Sequence, residues 1–127
     1  MNKIRQLTLF SFILFFLFVS TNYAQQDNSN SITVEKFKEN LKNDKDIVVL
    51  DVRTPEELIG PLGKIDSAIN IPIQVLEQRI NELEKYKNEE IDVICRSGNR
   101  STTGTEILIR HGFKAKNVLG GMIEFRK

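Results

Sequence analysis

The sequence predicts an α/β fold in which helices cover both faces of a central parallel sheet. Two continuous apolar runs, at residues 47–50 (IVVL) and 91–94 (IDVI), are typical of strands that are buried on both faces. Segments with helical spacing of apolar residues lie between and after these runs, and this alternation indicates βαβ units with right-handed crossovers. Ligands bind beyond the carboxyl ends of the strands in such sheets, so the residues that follow each run are the first candidates for a site.

The first 24 residues have the layout of a secretory signal peptide. Lys3 and Arg5 precede a mostly apolar run at residues 7–19, and Ala24 is a small residue at the expected cleavage point. A membrane-spanning helix needs about 20 apolar residues, which is more than this run provides. We therefore expect cleavage after Ala24 and a protein that is periplasmic or secreted, without a membrane partner.

Charge and cysteine content narrow the function of the remaining chain. Residues 25–31 (QQDNSNS) form a polar tether, and residues 32–127 form the domain. Loss of Lys3 and Arg5 with the signal changes the formal net charge from +1 to −1, which gives no electrostatic case for nucleic-acid binding. Cys95 is the one cysteine in the chain, so in an exported protein it is an intermolecular partner or a free reactive thiol.

The first half of the domain predicts a helix, a strand and a second helix. Thr33 can cap the first helix, and apolar residues at helical spacing follow it. Residues 47–50 are the strand. Residues 54–57 (TPEE) have the pattern of a capping box with proline at the first helical position, which begins the second helix.

The second half predicts alternating short strands and helices. In order they are a short strand within residues 68–72 (AINIP), a helix that begins at Pro72 and runs past Leu83, a strand at 91–94, a helix at 101–111 and a strand at 116–119. Gly120 and Gly121 close the last strand.

The loop after the second buried strand surrounds Cys95 with hydrogen-bond donors. Gly98 relieves a tight turn, and the backbone N–H groups of residues 96–101 can point toward the sulfur. The start of the next helix favours an anion, and Arg96 and Arg100 add positive charge. Each of these effects stabilises a thiolate over a thiol.

The size of these effects is sufficient to ionise the cysteine. Lowering a thiol pKa by about two requires about 2.7 kcal/mol of differential stabilisation. A helix terminus contributes up to about 2 kcal/mol, and hydrogen bonds to a charged group contribute about 1.5 to 3 kcal/mol each. A mostly ionised Cys95 is therefore physically reasonable.

The cysteine loop resembles a known active site. The segment CRSGNRS at residues 95–101 resembles the loop of single-domain rhodaneses, the thiosulfate sulfurtransferases, in which four residues separate a cysteine from a closing arginine or other residue. The DVR segment at 51–53 with Glu57, the AINIP segment and the glycine pair resemble further parts of that family. The chain departs from the family at Lys64, where histidine is usual, and at Phe125, where tryptophan is usual. The resemblance implies a rhodanese-like fold over about residues 32–125.

The resemblance also implies a mechanism. The Cys95 thiolate would take the sulfane sulfur of thiosulfate or a similar donor as a persulfide, and a thiol or cyanide would then accept it, without a metal or an organic cofactor. Arg100 would bind the sulfonate, with Arg96 assisting at the rim. The predicted substrate-binding residues are Arg96, Ser97, Gly98, Asn99, Arg100 and Ser101.

Three charged residues near the site are interpreted as structural. Asp51 follows the first buried strand and is a candidate to orient the loop. Arg53 and Glu57 are four residues apart, a spacing that favours an ion pair between them.

Two alternatives stay open from the residues. A cysteine phosphatase of related fold would place its arginine one residue later, where this chain has Ser101, and this disfavours that class. A persulfide carrier or binding module that is loaded by a partner protein would use the same loop. Turnover on small donors would distinguish an enzyme from a carrier.

Overall fold

A five-stranded, wholly parallel sheet lies at the centre of the computed structural model, which describes residues 30–44 and 46–127. The strands are β1 (Ser31–Ile32), β2 (Val48–Asp51), β3 (Ile69–Asn70), β4 (Glu90–Ile94) and β5 (Lys114–Val118), in the spatial order β1-β5-β4-β2-β3. The predicted parallel sheet is confirmed. The predicted signal peptide lies outside the described residues, and Ser31, which the sequence placed at the end of the tether, belongs to β1.

Within the described residues, four α-helices and two 3₁₀ helices lie between and after the strands. The α-helices are α1 (Val34–Asn43), α2 (Pro55–Leu58), α3 (Asn99–Arg110) and α4 (Gly121–Phe125). The 3₁₀ helices are Ile73–Val75 and Ile80–Tyr86. Among these described helices, none combines the length and the apolar character that a bilayer crossing requires.

The helix predicted from Pro72 is wrong in type. Two separate 3₁₀ segments occupy that stretch, although Leu76 and Leu83 are fully buried as the apolar stripe predicts. Apolar spacing indicates which residues face the core, but it does not decide whether each hydrogen bond closes after three or four residues. Helix α4 was not predicted, because it is only five residues long and begins within the glycine pair that was interpreted as the close of the last strand.

Helix starts agree with the predicted caps. Thr33 Oγ1 accepts a hydrogen bond from the backbone N–H of Lys36 at 3.2 Å, which satisfies one free donor of α1. The capping box at Thr54 is present, with Pro55 at the start of α2. Local sequence therefore sets where these helices begin.

Side chains alternate along the central strands and build a core on each face of the sheet. One face buries Leu50 and Val93, and the other buries Val49 and Ile94. Cys95 belongs to the first cluster, where α3 and the 3₁₀ segments pack. Helices on both faces are thus confirmed, and β4 carries Cys95 to the carboxyl edge of the sheet.

One buried carboxyl lies on the central strand, toward the amino-terminal ends of the strands. Asp92 on β4 is 2 % exposed, and its Oδ1 has no hydrogen-bond partner among the described residues. Burial and the charge of Glu90 raise the pKa of Asp92 to about 7, while Lys116 acts in the opposite direction. The folded protein therefore holds this proton more tightly than the unfolded chain does.

This predicts an unusual pH dependence of stability. An acid whose pKa is raised on folding contributes less stability as pH rises from about 4 to 7, and the loss is complete above the folded pKa. Asp92→Asn should raise the free energy of unfolding at pH 8 by about 1 to 3 kcal/mol, and by much less at pH 5, in urea denaturation. Asp46→Asn, which removes an exposed carboxylate at the same end of the strands, is the control. A gain for Asp92→Asn that does not vary with pH would contradict the assignment.

Candidate active site

Two polar segments meet at the carboxyl edge of the sheet, as the sequence predicts. Strands β2 and β4 are parallel neighbours with Asp51 opposite Ile94, so Cys95 and Arg53 follow adjacent strand ends. The backbone N–H of Val52 donates to Ile94 O at 3.0 Å and extends the pairing one step. This edge is the candidate active site.

The sulfur of Cys95 is buried within its own loop. Cys95 is 1 % exposed, and the backbone N–H of Gly98 donates to Sγ at 3.0 Å. The hydroxyl oxygen of Ser101 lies 3.2 Å from Sγ. Gly98 has φ 106°, a conformation in which glycine avoids the Cβ penalty, and this turn lets the chain close around the sulfur before α3 begins at Asn99.

These contacts favour the thiolate. Burial acts to raise the pKa of Cys95, but it is outweighed by hydrogen bonds from the Ser101 hydroxyl and from the N–H groups of Ser101, Gly98 and Ser97. The net effect is a pKa below the ordinary value for cysteine. The predicted backbone donor at the sulfur is present in the N–H of Gly98.

Helix α4 fixes the backbone of the loop from behind. The N–H groups of Met122 and Ile123 donate to the carbonyls of Cys95 and Arg96, at 2.8 and 3.0 Å. Gly121, with φ 58°, allows this approach, because a Cβ there would lie 2.5 Å from the Cys95 oxygen. The glycine pair noted in the sequence thus has a steric role.

The predicted ion pair between Arg53 and Glu57 is wrong. Glu57 instead receives both terminal nitrogens of Arg100, with Nη1 to Oε2 and Nη2 to Oε1 each at 2.7 Å. This bidentate bond, from a residue 43 positions away, is the main cause that lowers the pKa of Glu57 to about 2. The four-residue spacing favoured Arg53 as the partner of Glu57, whereas the fold brings Arg100 to it.

Arg53 is buried against Asp51. Its Nε donates to Asp51 Oδ1 at 3.0 Å and its Nη2 to Oδ2 at 2.7 Å, and both side chains are 1 % exposed. The same Nη2 reaches the carbonyl of Gly63 at 2.8 Å, and Asn70 Nδ2 donates to the carbonyls of Asp51 and Arg53. The structural role predicted for Asp51 and Arg53 fits this network, which fixes the backbone at the end of β2 beside the site.

A cleft of about 400 Å³ opens beside the cysteine loop. Its lining residues come from the end of β2, from α2 and the loop after it, and from the cysteine loop: Arg53, Glu56, Glu57, Gly60, Pro61, Leu62 and Arg96. Arg96 is exposed and makes no side-chain hydrogen bond or ion pair within residues 30–44 and 46–127. Of the two loop arginines, Arg96 therefore has the guanidinium that is available to a ligand.

The far wall of this cleft is held by the end of the chain. Arg126 donates to Leu62 O at 2.7 Å and to Lys64 O at 2.9 Å. The loop that contains Lys64 is therefore bound through its backbone. Phe125 packs on Phe37 with ring centroids 5.8 Å apart. The described residues contain no group of three or more His, Cys, Asp or Glu that could hold a metal ion.

One residue of the site was missed by sequence reasoning. Asn117 on β5 is 8 % exposed, and its Oδ1 lies 2.6 Å from the Ser101 hydroxyl, next to the sulfur. The available signal was alternation along the strand, because Asn117 lies two residues after the buried Ala115 and therefore on the same face. Its significance depends on β5 lying beside β4, which strand order in the sequence does not reveal.

Comparison with protein families agrees with this fold. A rhodanese-like domain model matches residues 33–127, and the chain belongs to that family. A sulfurtransferase from Allochromatium vinosum is 29 % identical over 99 residues, covering 77 % of this chain and 89 % of that protein. The fold and the sulfur chemistry of the family thus apply to the chain in general terms.

Other relatives extend the comparison. YrkF of Bacillus subtilis, provisionally named a sulfur carrier protein, is 37 % identical over 100 residues, but this chain spans only about half of it (52 %). Among solved structures, a rhodanese-like domain protein from Staphylococcus aureus has a TM-score of 0.68 at 35 % identity, covering 76 % of this chain and 90 % of that one. A rhodanese-related protein from Thermoplasma volcanium has the same score and coverage at 38 % identity.

The close approach of α4 to the cysteine loop generates a prediction. Gly121→Ala should lower the free energy of unfolding by about 2 to 4 kcal/mol, because the left-handed backbone costs about 1 to 2 kcal/mol and the new Cβ also collides with the Cys95 carbonyl. It should also raise the thiol pKa, since the loop donors move. Urea denaturation and thiol titration measure the two effects.

Gly112→Ala is the matched control. Gly112 also has a positive φ (83°), but a Cβ there would meet only the flexible Lys87 side chain, at 3.4 Å. We expect Gly112→Ala to lower the free energy of unfolding by the backbone cost alone and to leave the thiol pKa unchanged. Equal effects of the two substitutions would show that the contact with Cys95 is unimportant.

Proposed function

We propose that the protein is a sulfurtransferase that moves a sulfane sulfur from thiosulfate, or a similar donor, through a persulfide on Cys95 to a thiol or cyanide acceptor. The observation that carries this proposal is the sulfur itself, which is buried yet accepts a hydrogen bond from Gly98 N–H at 3.0 Å and lies 3.2 Å from the Ser101 hydroxyl oxygen. These contacts lower the thiol pKa, and the thiolate rather than the thiol is the nucleophile.

Each step conserves atoms and electrons. The Cys95 thiolate attacks the outer sulfur of thiosulfate, the S–S bond to the sulfonate sulfur breaks, and sulfite leaves with the electron pair. An acceptor thiolate or cyanide then attacks the outer sulfur of the persulfide, and Cys95 leaves as the thiolate. No external oxidant or reductant enters this cycle.

The cleft beside the loop supports an anionic donor. Arg96 contributes the positive charge, while Pro61 and Leu62 provide an apolar wall on which an organic acceptor could rest. Arg100, to which the sequence alone gave the larger share of sulfonate binding, has its terminal nitrogens on Glu57. We therefore assign sulfonate binding mainly to Arg96, and to Arg100 the closure of the loop against α2.

A carrier that is loaded by a partner protein is the second candidate. The similarity to YrkF supports it, and the same loop would hold the same persulfide. A carrier would accept sulfur from a partner but show no turnover with thiosulfate and cyanide. We further propose that the protein is exported, which N-terminal sequencing of the mature protein tests directly.

Cys95→Ser tests the chemical role of the sulfur. We expect transfer from thiosulfate to cyanide to fall to background, because no other thiol exists in the chain, while the thermal midpoint changes little. Mass spectrometry after exposure to thiosulfate should show one added sulfur atom on the wild-type protein and none on the variant. Transfer near the wild-type rate in the variant would refute the mechanism.

Substitution of the two arginines tests how the donor is bound. Arg96→Ala should raise KM for thiosulfate about tenfold or more, since a hydrogen-bonded charge pair contributes about 1.5 kcal/mol or more, and Arg96→Lys should recover part of the loss. Arg100→Ala should mainly lower stability, because it leaves Glu57 unpaired. If Arg100→Ala raises KM more than Arg96→Ala does and leaves stability intact, Arg100 holds the sulfonate.

A further inference from the structure

The hydroxyl of Ser101 has one proton and three acceptors within reach. Its oxygen lies 3.2 Å from Cys95 Sγ, 3.1 Å from Gly98 O and 2.6 Å from Asn117 Oδ1. Ser101 is fully buried, so no bulk water supplies a second proton donor. The direction in which this one proton points decides whether the sulfur receives a hydrogen bond from Ser101.

The competition is between the sulfur and Asn117. Gly98 O already accepts hydrogen bonds from Thr102 N at 3.1 Å and from Thr102 Oγ1 at 2.8 Å, so it does not depend on Ser101. Asn117 Oδ1 makes the shortest of the three contacts. When Ser101 donates to Asn117, its oxygen can only accept from Cys95, as from a neutral S–H group.

The side chain of Asn117 can serve both states of the sulfur. Its Nδ2 donates to Thr102 Oγ1 at 3.0 Å, so the two ends of the amide contact two hydroxyl groups. The amide oxygen and nitrogen have nearly the same shape, and a half-turn exchanges their positions. After that turn Nδ2 donates to Ser101, Thr102 moves its hydroxyl proton from Gly98 O to Oδ1, and the Ser101 proton is directed to the sulfur. Gly98 O keeps the hydrogen bond from the backbone N–H of Thr102 at 3.1 Å.

We propose that Asn117 is a positioning residue for Cys95, and that its amide turns so that the Ser101 proton follows the charge on the sulfur. The inference rests on the proposed sulfur transfer and adds to it a residue outside the cysteine loop. In the free thiolate, Asn117 donates to Ser101 and Ser101 donates to Sγ. In the persulfide the negative charge moves to the outer sulfur, Sγ becomes neutral, and Ser101 returns its proton to Asn117.

Asparagine is suited to this role because it both donates and accepts at one position. An ionised aspartate can only accept hydrogen bonds, and leucine can neither donate nor accept them. The other charged groups near Cys95 are Arg96 in the loop itself, the Arg100–Glu57 pair between α3 and α2 and the Asp51–Arg53 pair at the end of β2. Substitutions at Asn117 leave both pairs in place.

The test is a titration of the single thiol by its rate of alkylation as a function of pH, with no sulfur substrate present. Asn117→Asp should raise the thiol pKa by about one or more, a tenfold loss of thiolate, because the carboxylate retains the Ser101 proton. Asn117→Leu should raise it less, by about half as much. Circular dichroism and thermal midpoints show whether each variant folds.

A double-mutant cycle with Ser101→Ala separates the proposal from a simple charge effect. If Asn117 acts through Ser101, both substitutions should lose most of their effect on the thiol in the Ser101→Ala background. A shift from Asn117→Asp that persists undiminished there would mean that the carboxylate acts through space, and it would overturn the proposal. If the thiol pKa is unchanged in both Asn117 variants, the role of Asn117 is purely structural and the proposal fails. Since the titration needs no transfer, it stays informative even if the proposed function fails.

Discussion

A negative charge on a buried sulfur is the constraint on which the site depends. Burial alone opposes ionisation, and the polar groups of the loop outweigh it, with Gly98 N–H at 3.0 Å and the Ser101 hydroxyl oxygen at 3.2 Å from Sγ. Those donors converge only if the chain turns sharply at Gly98, and the turn is held in place from behind by the start of α4. The polar contacts of the loop and its glycine geometry therefore serve the same requirement.

Two ion pairs around this loop have different tasks because they differ in burial. The Asp51–Arg53 pair is almost fully buried and binds neighbouring backbone carbonyls, so it belongs to the framework under the site. The Arg100–Glu57 pair is about one third exposed and joins two helices at the mouth of the site. Arg96 forms no such pair with any residue that the structure describes, so its positive charge is the one available to a ligand.

Much of the fold was predictable because it depends on local rules. The apolar runs at β2 and β4 indicated buried strands, and the caps at Thr33 and Thr54 indicated where helices begin. The 3₁₀ segments after Pro72 were not predictable, since burial of Leu76 and Leu83 is compatible with either helix type. The partner of Glu57 was also assigned wrongly, because sequence spacing favours a neighbour while the fold supplies Arg100.

The sequence by itself determined the class of fold, the position of Cys95 at a strand end and the donors that follow it. These features depend on residue types at fixed short spacings, which do not change when the chain folds. Only the tertiary structure decided which arginine is available and which residue orders the Ser101 proton. Both answers depend on contacts between Arg100 and Glu57, and between Ser101 and Asn117, that are 43 and 16 residues apart. Such contacts arise from strand order and helix packing, for which a single sequence carries no direct signal.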